Sequence, residues 1–398
     1  MGFAFVVPRF GEGIVGGAER LVGELARALR ARGDRIEIWT TCAVDNRTWE
    51  NTLPEGESVE GGVVVRRFKV DARDLDLWVR HQISISEGMR LSVEQQLDWM
   101  AEGVNSSALY QYIRDRESDF DAIFFAPYLF GTTFFGALSC PQKALLIPCL
   151  HDECYAYLEI MRGLFRGVRG ALFNSAPERE LAQELYGAIL GGEVGMGFES
   201  DTDEAKKPYF KDDFPYLLYL GRKETGKGVH TLIDHFLAAQ AARPSLSSLR
   251  LVICGGGSFS DLNRGEALAN PAIVDLEHIN EEEKQRLISQ ALILVQPSVN
   301  ESFSIVIMES WLRRVPVLVN SYGAVTRDHV QRSGGGLYYS TADELGGVLE
   351  ELLGNPALRA QMAEAGFRYV KERYCWTAVL ARFDRALLSI GIESSYEG

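Results

Sequence analysis

The sequence predicts an α/β protein made of two Rossmann-like domains, each a parallel sheet covered by helices. Three observations carry that expectation. Apolar runs of strand length alternate with stretches of helical periodicity from residue 3 onward. The alternation restarts at residue 216, after an interval rich in glycine, proline and charge. A glycine-rich loop follows the first strand, where a β-α-β unit places its ligand-approaching turn. Strands alternating with helices bury both sheet faces, so the strands read as near-continuous apolar runs.

The elements follow in order. Phe3–Pro8 is a buried strand and Arg9–Gly17 the glycine-rich loop. Across residues 18–32, Ala18, Leu21, Val22, Leu25, Ala28 and Leu29 recur three or four apart, an amphipathic helix that Gly33 ends. Arg35–Thr40 is the next strand, with others at Val63–Phe68, Ala122–Ala126, Ala144–Leu150 and Gly170–Asn174. Residues 71–118 are mostly helical, with Leu91, Leu97, Met100, Leu109 and Tyr112 on the apolar face. The uncharged stretch between Asp121 and Lys143 is long enough to span a bilayer. Pro127, Gly131, Thr132, Thr133, Gly136 and Ser139 interrupt it, which favours a strand, a turn and a short packed helix.

Residues 187–215 are the linker. Beyond it come strand 216–221, helix 229–240, strand 250–254, a short strand near 272–275 and helix 281–290. Strand 291–297, helix 303–313, strand 315–319 and helix 342–353 complete the second half. The expected domains are 1–195 and 196–376.

Composition narrows the function. Apolar residues make up 46% of the 398 and charged residues 24%, an ordinary globular balance. The 41 basic and 55 acidic residues give a net charge of −14, which disfavours nucleic-acid partners. Six cysteines without a CxxC pair read as buried thiols of a reducing compartment, so the cytoplasm is expected, with no signal peptide and no transmembrane segment. Cys149, His151, Asp152 and Cys154 lie close in sequence but lack a second pair of ligands, so no metal site is expected there. Met161–Arg169 is a small basic amphipathic stretch; it reads as a solvated helix face, with weak peripheral membrane contact as the alternative.

Several motifs carry chemistry. Gly11, Gly13 and Gly16 fit GxGxxG, but strand 35–40 ends in Trp39, Thr40 and Thr41 without the acid that would hold a dinucleotide ribose, so a loop approaching phosphate or sugar is favoured. Asp-x-Asp triplets at Asp74/Asp76, Asp119/Asp121 and Asp201/Asp203 close no buried strand and read as solvated acids. After strand 216–221, Arg222 and Lys227 can clamp a diphosphate, while Gly221 and Gly228 clear space for it. Glu301 and Glu309 stand eight apart around a strand-loop-helix junction. About 12 Å of helical rise suits no hydrolytic pair, which wants roughly 5–5.5 Å. The better assignment gives phosphate to the amides of Ser302, Phe303 and Ser304, sugar hydroxyls to Glu301 and a ribose to Glu309.

Taken in order, the glycine-rich first loop, Leu150-His151-Asp152, G-R-x4-K-G at 221–228, the G-x-G turn at 255–257 and E-x7-E at 301–309 resemble the retaining GT-B glycosyltransferases of family 4, from Phe3 to about Phe383. That resemblance implies a GT-B fold whose two domains face a cleft, the first binding a hydroxyl acceptor and the second a nucleotide-diphosphate sugar, UDP- or GDP-linked. It implies that Gly16 and Gly17 approach phosphate, that His151 sits beside the reacting sugar, that Gly256 belongs to the donor site, and that neither metal nor bound cofactor is needed. It also implies that the last helix, 377–398, packs back on the first domain; residues 377–393 have the apolar spacing to do so. Two features depart from the family. Ser302 and Ser304 stand where it commonly has glycine, and Gly323–Arg327 carries a cation where its loop usually reads G-G-x-x-E. The expected activity is retaining, metal-independent sugar transfer to a glycan, lipid-linked sugar or small metabolite. A nucleotide-sugar epimerase and a non-catalytic scaffold of the same fold are the alternatives.

Overall fold

The computed structural model describes residues 1–14, 16–199, 208–277 and 279–393. The chain divides into two compact units, Met1–Gly197 with Trp376–Gly398, and Phe198–Cys375.

The first unit contains strands β1 (Gly2–Val6), β2 (Arg35–Thr41), β3 (Gly56–Glu60), β4 (Val63–Phe68), β5 (Ala122–Phe125), β6 (Ala144–Leu146), β7 (Gly170–Phe173) and β8 (Gly191–Glu193). They form one sheet in the order β3-β4-β2-β1-β5-β6-β7-β8. Every pairing is parallel except that of β3 with β4. Its helices are α1 (Gly17–Ala31), α2 (Leu75–Ser86), α3 (Val93–Ala101), α4 (Ser107–Arg116), α5 (Gly131–Ser139), α6 (Glu159–Gly167) and α7 (Ala176–Tyr186). β1, β5 and β6 are buried nearly throughout, as parallel strands between two helical layers must be.

The second unit has six parallel strands: β9 (Tyr216–Leu220), β10 (Arg250–Cys254), β11 (Ile273–Leu276), β12 (Ile293–Gln296), β13 (Val317–Asn320) and β14 (Gly336–Tyr339). Their order is β11-β10-β9-β12-β13-β14. The helices are α8 (Val229–Ala242), α9 (Glu281–Ser289), α10 (Ile305–Leu312), α11 (Ala324–Ser333), α12 (Ala342–Gly354) and α13 (Pro356–Arg373). The last helix, α14 (Trp376–Ser389), belongs to the first unit. Its Phe383 packs edge-on to Phe3 with centroids 5.6 Å apart, and Arg382 donates to the Val194 carbonyl at 2.7 Å.

One expectation needs correction, and two others can be placed in detail. The strand expected over 144–150 stops at Leu146, because Pro148 and a left-handed Cys149 (φ 51°) turn the chain out of the sheet. Helix α6 buries Ile160, Met161, Leu164 and Phe165 in the core and leaves Arg162 and Arg166 exposed, the solvated helix face expected of 161–169. Asp74, Asp76, Asp119 and Asp121 are all exposed, the solvated acids expected of two Asp-x-Asp triplets, and two of them also serve the backbone. Asp74 caps α2 through the Leu77 amide at 2.9 Å, and Asp121 accepts from the Gly2 amide at 2.8 Å. The third triplet, Asp201/Asp203, and Val15 of the first loop lie outside the described residues.

Candidate functional site

Open parallel sheets bind ligands at the carboxyl ends of their strands, where the strand order reverses. In the second unit that point lies between β9 and β12, because β10 and β11 lie on one side of β9 and β12, β13 and β14 on the other. Two loops meet there, Gly221–Gly228 after β9 and Pro297–Ser304 after β12. Lys227 Nζ donates to Glu301 Oε1 across them at 2.8 Å. Gly228 is left-handed (φ 71°), and a Cβ on it would come within 2.9 Å of the Pro297 carbonyl oxygen. The loops touch closely enough that only glycine fits.

The other expected donor residues are placed around that pair. Gly221 donates its amide to the Cys254 carbonyl at 3.0 Å, and Gly256 accepts from the Lys223 amide at 2.7 Å, so the turns after β9 and β10 are bonded to each other. Arg222 is not part of the Lys227–Glu301 pair: its exposed guanidinium lies 2.9 Å from Glu224. Ser304 is the left-handed N-cap of α10 (φ 67°), and its hydroxyl accepts from Gln296 Nε2 at 3.3 Å. The Phe303 ring turns into the core against His329 and Tyr374, with centroids at 5.6 and 5.2 Å. What Phe303 offers the ligand edge is its backbone. Ser302, half-buried, completes the run leading into the helix start. Glu309, on α10, is 4% exposed, and its Oε1 accepts from Lys284 Nζ of α9 at 2.9 Å.

Two cations here were missed by sequence reasoning. Lys284 sits mid-helix among acids and looks like a solvated charge, but it pairs with both Glu281 (2.8 Å) and Glu309. Lys223 is buried, with Nζ 2.7 Å from Asp275 and 3.2 Å from the Leu276 carbonyl. It ties the turn after β9 to the end of β11. Only the register of the folded sheet brings either pair together.

In the first unit the reversal lies between β1 and β5. Gly16 is the N-cap of α1 and Gly17 its first residue. The Glu19 carboxylate lies over Gly16, so close that a Cβ there would collide with it. Glu19 also takes a 2.7 Å bond from Arg9 Nε. His151 stands on the loop after β6, with Nδ1 3.6 Å from Glu153 Oε1. Glu153 Oε1 also accepts from the buried Tyr128 hydroxyl at 2.9 Å. Beneath the loop, Glu178 of α7 is fully buried and accepts from the amides of Leu150 (2.7 Å) and Asn174 (2.5 Å). Burial pushes its carboxyl up to about 8, against the pull of those amides. Ser175 and Glu178 have the S-x-x-E spacing of a capping box, a signal that could have singled Glu178 out.

Among the described residues, no three His, Cys, Asp or Glu side chains are grouped to hold a metal ion. No helix among them is long and apolar enough to cross a membrane.

Residues 200–369 match the family model "Glycosyl transferases group 1", so the second unit carries a glycosyltransferase group 1 domain. An uncharacterized glycosyltransferase of Methanocaldococcus jannaschii is 24% identical over 213 residues, 52% of this chain and 53% of that protein. The GDP-mannose-dependent monoacylated alpha-(1-6)-phosphatidylinositol monomannoside mannosyltransferase of Corynebacterium glutamicum is 27% identical over 199 residues, 48% and 51% of the two chains. The chain thus spans about half the length of the curated relatives it matches. Among solved structures, sucrose-phosphate synthase from Thermosynechococcus elongatus aligns with a TM-score of 0.70 at 17% identity, over 98% of this chain and 99% of that one. The fold is GT-B.

Proposed function

We propose that the chain is a retaining glycosyltransferase that moves a sugar from a nucleotide-diphosphate donor to a hydroxyl acceptor without a divalent metal. The observation that carries this reading is the Lys227–Glu301 pair at the strand-order reversal of the group 1 domain, with Gly228 closing the loops around it. Lys227 and Arg222 take the diphosphate, joined by the amides of Ser302, Phe303 and Ser304 ahead of α10. Glu301 takes sugar hydroxyls and Glu309 the ribose, with Gly221 and Gly256 giving the nucleotide room. The mannosyltransferase relative, GDP-mannose-dependent by name, supports a nucleotide-diphospho-sugar as donor.

In the reaction, the acceptor oxygen forms a bond to the anomeric carbon on the face from which the diphosphate oxygen departs, and that oxygen takes the acceptor proton. His151 serves the reacting sugar, and Gly16 and Gly17 approach phosphate. Positioning and charge stabilisation then carry the rate, with Lys227 offsetting negative charge on the leaving group.

Release of UDP or GDP from a panel of nucleotide sugars, with and without hydroxyl acceptors, tests the reading. Lys227→Ala and Glu301→Ala should each lower turnover by about a hundredfold or more. Wild-type turnover in either variant would overturn the assignment.

A further inference from the structure

Glu178 is a buried carboxyl group that the donor chemistry does not use. Its two oxygens serve two different loops: Oε1 takes the Leu150 amide at 2.7 Å, and Oε2 takes the Asn174 amide at 2.5 Å. Those loops follow β6 and β7, neighbours in the sheet, so one side chain spans two adjacent strand ends at the ligand edge. It is held there as the third residue of α7, whose N-cap Ser175 accepts the Glu178 amide at 3.4 Å.

The loop it grips is strained. Cys149 is left-handed at φ 51°, a conformation unfavourable for a non-glycine residue that persists only where its surroundings hold it. That turn sends Leu150 into the core, 1% exposed, and leaves His151 partly exposed at the edge. Glu178 bonds Leu150, between the left-handed Cys149 and His151. On the far side, the Glu153 amide donates to the His151 carbonyl at 3.0 Å, and the Glu153 side chain receives Tyr128. His151 is therefore presented by a segment clamped at both ends.

We propose that Glu178 is a positioning residue: the two oxygens of its carboxyl group latch the strained 149–150 turn to the β7 loop and so fix the direction in which His151 faces the ligand edge. The latch supports catalysis only if His151 serves the reacting sugar, so in that respect it rests on the function proposed above. Glutamine in its place keeps the shape but has one acceptor oxygen, so one of the two amides would face an NH₂ donor. Aspartate keeps both acceptors at a shorter reach.

Three measurements on the full chain test this. In Glu178→Gln, amide exchange at Leu150, Asn174 and Glu153 should quicken by about tenfold or more, while amides within β5 and β6 keep wild-type protection. Release of UDP or GDP from UDP-glucose or GDP-mannose should fall about tenfold or more in kcat, with the donor KM within about twofold of wild type, and Glu178→Asp should recover part of the loss. The double variant His151→Ala/Glu178→Gln should be no slower than His151→Ala alone within about twofold, because the latch acts through His151. Losses that multiply, or an exchange change that is absent or spread over the whole unit, overturn the proposal. If the wild type releases neither nucleotide and neither UDP nor GDP raises its Tm, the proposed function fails; the exchange pattern alone then decides whether the latch exists.

Discussion

Lys227 and Glu301 form an ion pair whose side chains keep 29% and 13% of their exposure. A pair that wet is worth about 0–1 kcal/mol to the fold. Glu309 is different: it is 4% exposed, and Lys284 supplies a cation at 2.9 Å. Removing the partner of a buried charge costs about 3–5 kcal/mol, because the remaining charge stays in a medium that cannot solvate it. Lys284 keeps 18% of its exposure, which places the expected loss toward the lower end of that range. Two lysines at one ligand edge thus separate by magnitude. Lys227→Ala should leave urea unfolding within about 1 kcal/mol of wild type while transfer collapses. Lys284→Met should lower stability by about 3 kcal/mol and weaken donor binding through a misplaced Glu309. Urea titrations beside the nucleotide-release assay check both; equal stability losses would show that burial does not separate these pairs. Lys227 was singled out by its place in G-R-x4-K-G after a strand, a pattern that gained weight only from the other motifs in order, since alone it fits a surface loop. Lys284 was not, since nothing local distinguishes it from a solvated helical charge.

At the scale of elements, β1, β9, β10 and β12 were readable as uninterrupted apolar runs, because parallel strands bury both faces. The edge strands β3, β8 and β14 were not: GESVE, GGE and GLYY bury too little to stand out. Helix α11 shows the same limit. It looks polar in sequence, yet His329 is 1% exposed, with Nδ1 3.0 Å from the Tyr369 hydroxyl and its ring against Phe303. Burial, aided by Arg332 and Arg373, holds the His329 imidazole down at about 3, so the folded unit keeps it neutral. The folded value lies below the ordinary 6.5. Its contribution is therefore complete above pH 6.5 and is lost as pH falls from there toward 3. The Tm of the second unit should decline over that window. In His329→Gln, less stable overall because packing is lost, the decline between pH 6.5 and 4 should flatten. Parallel Tm–pH profiles in the two proteins would show that His329 does not drive the acid loss. Phe303 packs edge-on against this imidazole, so the 297–304 loop should loosen over the same range.

For the whole molecule, the consequential feature is that the first unit is finished by the last helix of the chain. α14 buries Val379, Phe383, Ala386 and Leu387. Phe383 also lies 5.6 Å from Phe124, and Arg32 donates to Asp384 at 2.8 Å across 352 residues of sequence. The apolar spacing of 377–393 was visible in sequence. That it packs on the first domain came from the resemblance; the particular surface did not, because nothing local records that Phe3 and Phe124 on buried strands await this helix. Burying a Val, Leu or Phe side chain is worth about 1.5–3 kcal/mol. The three large residues of α14 together contribute about 5–9 kcal/mol, comparable with the whole stability of a typical domain. A chain ending at Cys375 should therefore retain a folded second unit and lose protection across β1 and β5, whereas Phe383→Ala, costing about 3–5 kcal/mol, should weaken the first unit without unfolding it. Hydrogen exchange resolved by unit distinguishes these outcomes: native protection of β1 and β5 in the truncated chain would mean that α14 is an accessory to a core complete without it. The latch at Glu178 and the His151 loop lie in that same unit, so the truncated chain should also lose Leu150 and Asn174 protection while its Lys227–Glu301 edge still responds to UDP or GDP.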